Sequence, residues 1–229
     1  MVRSWTDFDK RLNKIARRLS EMGLGRGDKV AVLAANSIEY LETFIGALRA
    51  GVCVVPLSTM AAADALEKML DDCDAKVLFL SDQYRALVEP YEDRLAKLVP
   101  GGRIAYDFTR TGWQGFEAWL SPASDAPLAV ELQPLDDFNI IYSSGTTGLP
   151  KGILHSHALR SQLPVRFTAF DYGPETISLV STPAGAVAGS RPRPPARAPR
   201  RRARARVLRA QKCASKVVGH GASWGFVAA

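Results

Sequence analysis

The sequence predicts an α/β protein, a mainly parallel sheet flanked by helices, followed by a disordered basic C-terminal tail. Three observations carry this reading. Short runs such as "VAVLA" (30–34) and "VCVVPL" (52–57) are apolar throughout, as strands buried on both faces must be. Between them lie stretches whose apolar residues recur every three or four positions, the helical period. After Pro183 both patterns stop.

The elements follow in order. Thr6 to Met22 reads as an amphipathic helix, with Phe8, Leu12, Ile15, Leu19 and Met22 on one face. Thr6 can cap its start, Asp7 and Asp9 suit the positive end of its dipole, and Gly23 can end it. "DKVAVLA" (28–34) is a strand. Ser37 can cap a second helix carrying Tyr40, Leu41, Phe44, Ile45 and Leu48, which stops at Gly51. "VCVVPL" (52–57) is the next strand, Ala61 to Leu70 a third helix and "AKVLFL" (75–80) a strand. A helix is expected over Tyr84 to Leu98, a strand at "GRIAYDF" (102–108) and a short helix at "GFEAWL" (115–120). A loop over 121–134 leads to a strand at Phe138–Tyr142. Alternation of strands with helices is the pattern of right-handed crossovers covering both faces of a sheet.

A chain of 229 residues suggests one or two domains. Its net charge of +7 is misleading, because eleven of the 30 Lys and Arg, and none of the 23 acids, lie after Ser181. Residues 1–181 thus hold 19 basic and 23 acidic groups, so the basic character belongs to the tail. Nine of those eleven tail residues are arginine, set among Ala, Pro and Gly, a composition that cannot build a core. Such residues are also what G- and C-rich codons encode when read out of frame. Cys53, Cys73 and Cys213 are odd in number and lack metal-ligand spacing, so free thiols in a reducing compartment are expected. No charged-then-apolar leader and no membrane-length apolar run is present, which implies a cytoplasmic location.

One stretch stands apart: "NIIYSSGTTGLPKGIL", Asn139 to Leu154. It follows an apolar strand, and ligands of open parallel sheets bind at the carboxyl ends of strands. Its glycines let backbone N–H groups approach an anion, Ser143, Ser144, Thr146 and Thr147 add hydroxyl donors, and Lys151 adds a point charge. It is not the Walker pattern, because Pro150 precedes the lysine and Gly152 follows it. The residues by themselves leave a phosphate cradle and an ordinary turn both open.

The order of residues in "YSSGTTGLPKGI" resembles the signature loop of the AMP-forming acyl-CoA synthetase and acyl-adenylate superfamily, and it is a highly specific motif. "GLGRGDKVAVLAANSIEYLETFIGALRAGVCVVPLS" and "SWTDFDKRLNKIARRL" are similar to that family's early block and first helix, so the resemblance covers residues 4 to about 182. It implies an incomplete N-terminal domain of the adenylate-forming fold over 1–182, with 183–229 as the tail. It also implies a carboxylic acid and ATP as substrates, with coenzyme A and Mg2+ used alongside them. Carried over by position, Ser144, Thr146, Thr147 and Lys151 would be the main contacts to the leaving pyrophosphate, with Ser143 counted in the same binding loop. Gly145 and Gly148 would give close backbone approach, with Pro150 part of the same loop. No catalytic acid or base and no metal ligand is implied in this stretch.

The sequence departs from the family pattern after "LVSTP" (179–183), where "AGAVAGSRPRPP" stands in place of an apolar and aromatic segment. The Tyr-Gly-x-Thr-Glu block, the ribose-binding aspartate, the hinge and the lid lysine do not follow. The expectation is an N-terminal part of an adenylating enzyme, inactive by itself. The alternative is a binding module whose arginine tail contacts nucleic acid or an acidic partner, although the tail lacks interleaved aromatics. His155 and His157 are expected to cap or flank a helix just past the loop, Asp71, Asp72 and Asp74 to form a solvated face, and Trp113, Phe116 and Trp119 to sit in the core.

Overall fold

The computed structural model describes residues 3–143 and 150–167. Among them, seven strands form one sheet: β1 (Lys29–Leu33), β2 (Cys53–Pro56), β3 (Val77–Leu80), β4 (Arg103–Ala105), β5 (Gln114–Gly115), β6 (Asp137–Ser143) and β7 (Lys151–Ser156). Their order is β5-β4-β3-β1-β2-β6-β7, and all pairs are parallel except the antiparallel β6–β7. The helices are α1 (Trp5–Glu21), α2 (Ile38–Arg49), α3 (Ala63–Cys73), α4 (Arg85–Val88), α5 (Phe116–Leu120) and α6 (His157–Phe167).

The two faces of the sheet are covered by different helices, and the strand period of two decides which residue goes where. Val30, Val32, Val54 and Phe79 pack with Ile15 and Leu19 of α1, Phe44 and Ala47 of α2, and Trp119 of α5. Ala31, Leu33, Val55, Leu78 and Leu80 point the other way, to Leu66, Met69 and Leu70 of α3 and to Val88 and Tyr91. From β1 the chain moves one way across the sheet through α2, and from β2 it moves back the other way through α3. Direction and face reverse together, which keeps the two crossovers of one hand. At the α1–α2 contact Gly46 lets the helices approach closely, because a Cβ there would lie 2.7 Å from Cβ of Ile15 and force a shift.

Several expectations shift. The first helix is capped by Ser4 rather than Thr6: Ser4 Oγ accepts from the Asp7 N–H at 3.1 Å. Ser37 caps α2 as expected, accepting from Tyr40 N–H at 3.0 Å. The helix expected over 84–98 is broken into a 3-10 turn at Asp82–Tyr84, the short α4 and a second 3-10 turn at Glu89–Arg94. Pro90 explains the break, since it brings no N–H and its ring crowds the preceding turn. The strand at 102–108 contracts to β4, and β5 and β7 are strands that periodicity did not reveal. Trp113, Phe116 and Trp119 are buried as expected.

Cys53 and Cys73 are buried free thiols, and burial pushes them up to about 12 and about 11, far from thiolate formation at neutral pH. Asp71 and Asp74 both lie near Lys97, Asp74 also pairs with Lys76, and Asp72 accepts from the Tyr142 hydroxyl. No group of three or more His, Cys, Asp or Glu among the described residues could hold a metal ion. No described helix is long and apolar enough to cross a membrane. Cys213 and the expected tail at 183–229 lie outside the described residues.

Candidate phosphate-loop hairpin

The motif lies at the tip of a hairpin. β6 runs parallel to β2, with Asn139 opposite Val54, and ends at Ser143. The chain returns as β7, pairing Lys151 with Ser143, Gly152 with Tyr142 and Ile153 with Ile141. The motif therefore does not open directly into a helix, as the placing of His155 and His157 had implied. His155 lies within β7, and only His157 stands at the start of α6. Residues 144–150 join the two strands. Hairpin connections usually take about two to five residues, and longer ones commonly carry function.

Two features fix the hairpin stem. A Cβ on Gly152 would meet Ile140 Cγ2 at 3.0 Å and the Tyr142 ring at 3.2 Å, so any larger residue would push those side chains aside by a few tenths of an ångström where β7 crosses them. The Tyr142 hydroxyl donates to Asp72 Oδ2 at 2.5 Å and lies 3.2 Å from the Met69 carbonyl, tying β6 to the last turn of α3. Burial and then the Asp72 carboxylate raise the Tyr142 pKa, so the phenol keeps its proton.

Of the residues singled out from the sequence, Ser143 and Lys151 are exposed and face each other across the mouth of the loop, with Pro150 half-buried beside them. Ser144, Gly145, Thr146, Thr147 and Gly148 lie outside the described residues. Lys151 forms no ion pair among the described residues, in contrast to Lys97, whose ammonium lies 3.0 Å from Asp71. The mouth is at the carboxyl end of β6, the same end of the sheet as the carboxyl ends of the other parallel strands. A free ammonium held on a paired strand there is suited to a polyanion.

At the other end of the hairpin is a polar cluster that the sequence reading missed. Asn139 is fully buried. Its Oδ1 accepts from Arg160 Nε at 3.2 Å and Nη2 at 3.1 Å. His155 Nδ1 lies 2.9 Å from Arg160 Nη2 and 3.2 Å from Asn139 Oδ1, so it accepts from the guanidinium in one tautomer and donates to the amide oxygen in the other. Burial, and then the charge of Arg160, lower the His155 pKa. A polar residue in the apolar run "FNII" was the available signal, but a single Asn in a strand does not announce its partners.

Known proteins share this fold. The family described as AMP-binding enzyme matches residues 2–189. The long-chain-fatty-acid–CoA ligase FadD13 of Mycobacterium tuberculosis is 37% identical over 150 residues, which cover 63% of this chain and 28% of that protein. The inhibitor-bound N-terminal domain of FACL13 from Mycobacterium tuberculosis superposes with a TM-score of 0.68 at 26% identity, covering 80% of this chain and 44% of that one. The anthranilate CoA ligase AuaEII in complex with anthranoyl-AMP gives 0.65 at 27% identity, over 71% of this chain and 31% of that one. The chain spans less than a third of the curated ligase's length. With a mainly parallel sheet, a glycine-rich hairpin and a match over most of its length, the chain belongs to the AMP-binding enzyme family, whose relatives here are acyl-CoA ligases.

Proposed function

We propose that this chain carries the pyrophosphate-gripping part of an ATP-dependent, AMP-forming carboxylic acid–CoA ligase. In that reaction a carboxylate oxygen bonds to the α-phosphorus of ATP. The bond from that phosphorus to the β-phosphate's bridging oxygen breaks, and its electron pair leaves with pyrophosphate. The acyl group then passes to the thiol of coenzyme A, releasing AMP. Lys151 and the hydroxyls of Ser143, Ser144, Thr146 and Thr147 would bind the leaving pyrophosphate, with backbone N–H groups at Gly145 and Gly148. Pro150 would stiffen the return of the loop. These groups position and stabilise charge, and none needs to move a proton.

The observation that carries this reading is the placing of Lys151: exposed, without an acid partner among the described residues, and registered opposite Ser143. Buried, protonated Cys53 and Cys73 suit a cytoplasmic enzyme. The carboxylic acid and coenzyme A are drawn from what the related ligases act on. The test is titration of the full chain with pyrophosphate by calorimetry, comparing Lys151→Ala with Lys97→Ala. The basic tail adds the same background to every variant. Loss of one charge-assisted contact, about 1.5–3 kcal/mol, should weaken the saturable phase by at least about tenfold in Lys151→Ala and leave Lys97→Ala unchanged. Equal binding by both variants would refute the assignment.

A further inference from the structure

The register of β6 shifts between Asp137 and Asn139. That irregularity breaks the alternation of the strand, so that Phe138 joins the cluster under α1 and α2, while Ile140 and Tyr142 join the cluster under α3. Counting back from Ile140, Asn139 then faces the same side as Phe138, and re-aiming a side chain is a common use of such a bulge. Arg160, in the first turn of α6, spans both residues. Its guanidinium carbon lies 5.8 Å from the centre of the Phe138 ring, and its Nε and Nη2 reach Asn139 Oδ1.

All of these acceptors are neutral. Burial lowers the Arg160 pKa, and no carboxylate among the described residues pairs with it. Asn139 Nδ2, on a fully buried side chain, has no hydrogen-bond partner, and the same holds for His157 Nε2, whose ring packs edge-on against Phe138 at 5.1 Å. Arg160 Nη1 makes no hydrogen bond to the described residues. A half-buried cation with no counter-ion among the described residues thus adjoins a buried amide N–H2 with nothing to donate to. A water molecule could satisfy the amide but brings no charge. A carboxylate brings one negative charge and two acceptor oxygens, the complement of a guanidinium edge and an adjoining amide.

We infer that Arg160 and Asn139 form a carboxylate-binding site at the end of the hairpin remote from the phosphate loop. Asn139 is four residues from Ser143, about 13 Å at 3.3 Å per residue, so this site is separate from the one proposed for pyrophosphate and does not depend on it. The carboxylate has two sources to choose between. After Asp137 the sequence contains only two acids, Asp171 and Glu175, so one arm of the test is the chain's own side chain. The other arm is a free carboxylic acid.

Nitrogen-15 NMR of the full chain reads the site through the Arg160 Nε–H signal, assigned by its disappearance in Arg160→Lys. A shift of that signal in Asp171→Asn or Glu175→Gln identifies the chain's own acid. A saturable shift with sodium acetate at constant ionic strength, absent with chloride, identifies a free carboxylate, and Asn139→Ala should then weaken acetate at least about tenfold. Hydrogen–deuterium exchange of the peptide spanning 152–162 provides a second reading that needs no resolved side-chain signal. Its protection should fall with the acid substitution in the first case or rise with acetate in the second. If neither the acid substitutions nor acetate changes the signal or the exchange, the site does not exist.

Discussion

Replacing Glu42 with Leu should unhinge the first helix. Glu42 sits in α2 with its side chain wholly removed from solvent, and it receives Arg11 Nε at 2.7 Å and Arg3 Nε at 3.0 Å. Arg11 goes on to grip Glu117 of α5 at 2.9 and 2.6 Å and lies over the Phe116 ring at 5.6 Å. One buried carboxylate therefore joins α1, α2 and α5. Breaking a buried ion pair from one side costs about 3–5 kcal/mol, because the remaining charge is left without its partner. Arg11 keeps Glu117 and some contact with water, so the lower end, about 3 kcal/mol, is expected. Urea unfolding of the full chain, followed by tryptophan fluorescence from the buried Trp119 and Trp113, measures it. Hydrogen exchange over residues 5–21 gives the same answer locally. The double variant Glu42→Leu with Arg11→Met should recover much of the loss, since apolar replacement of both partners is often close to neutral. A single variant within about 1 kcal/mol of the parent would refute the reasoning. So would a double variant as unstable as the sum of the two single ones.

Gly46→Ala should destabilise the chain despite the better helix propensity of alanine. Its Cβ would stand 2.7 Å from Ile15 Cβ and 2.8 Å from Ile15 Cγ2, forcing α1 and α2 apart at a cost of about 1–3 kcal/mol against a gain of up to about 1. A rise in the urea midpoint would contradict this. Acidification should loosen β7 and α6. His155 and His157 are both held below 6.5, mainly by burial, so the unfolded chain takes up protons at a higher pH than the folded one. Their contribution is intact above 6.5 and is lost as the pH falls from there through the folded values. Imidazole proton NMR titration checks it, and a value at or above 6.5 for both rings would remove the effect. Carboxylates held low by arginine, such as Glu117 beside Arg11, lose their stabilisation only in the more acidic carboxylate range.

The sequence by itself determined the α/β class, the parallel core strands and the capped α2, because each rests on local pattern: apolar runs, a three-to-four period, a serine before a helix. It also marked the family, since the order of residues from Tyr142 to Lys151 is a covalent fact that needs no folding to be read. It did not reveal that Lys151 begins a strand. Lys151 and Gly152 look like loop residues, and β7 exists because its backbone finds the free side of β6 and because Gly152 clears Ile140 and Tyr142. The expected helix over 84–98 failed for a local reason, Pro90, whose ring outweighed an amphipathic pattern. The ties of Glu42 to Arg3 and Arg11, of Tyr142 to Asp72, and of Arg160 to Asn139 join residues 39, 31, 70 and 21 positions apart. Such pairings were decided only in three dimensions. Hydrogen bonds and charges act over a few ångströms of space, and one sequence carries no record of which distant positions the fold will bring within that reach.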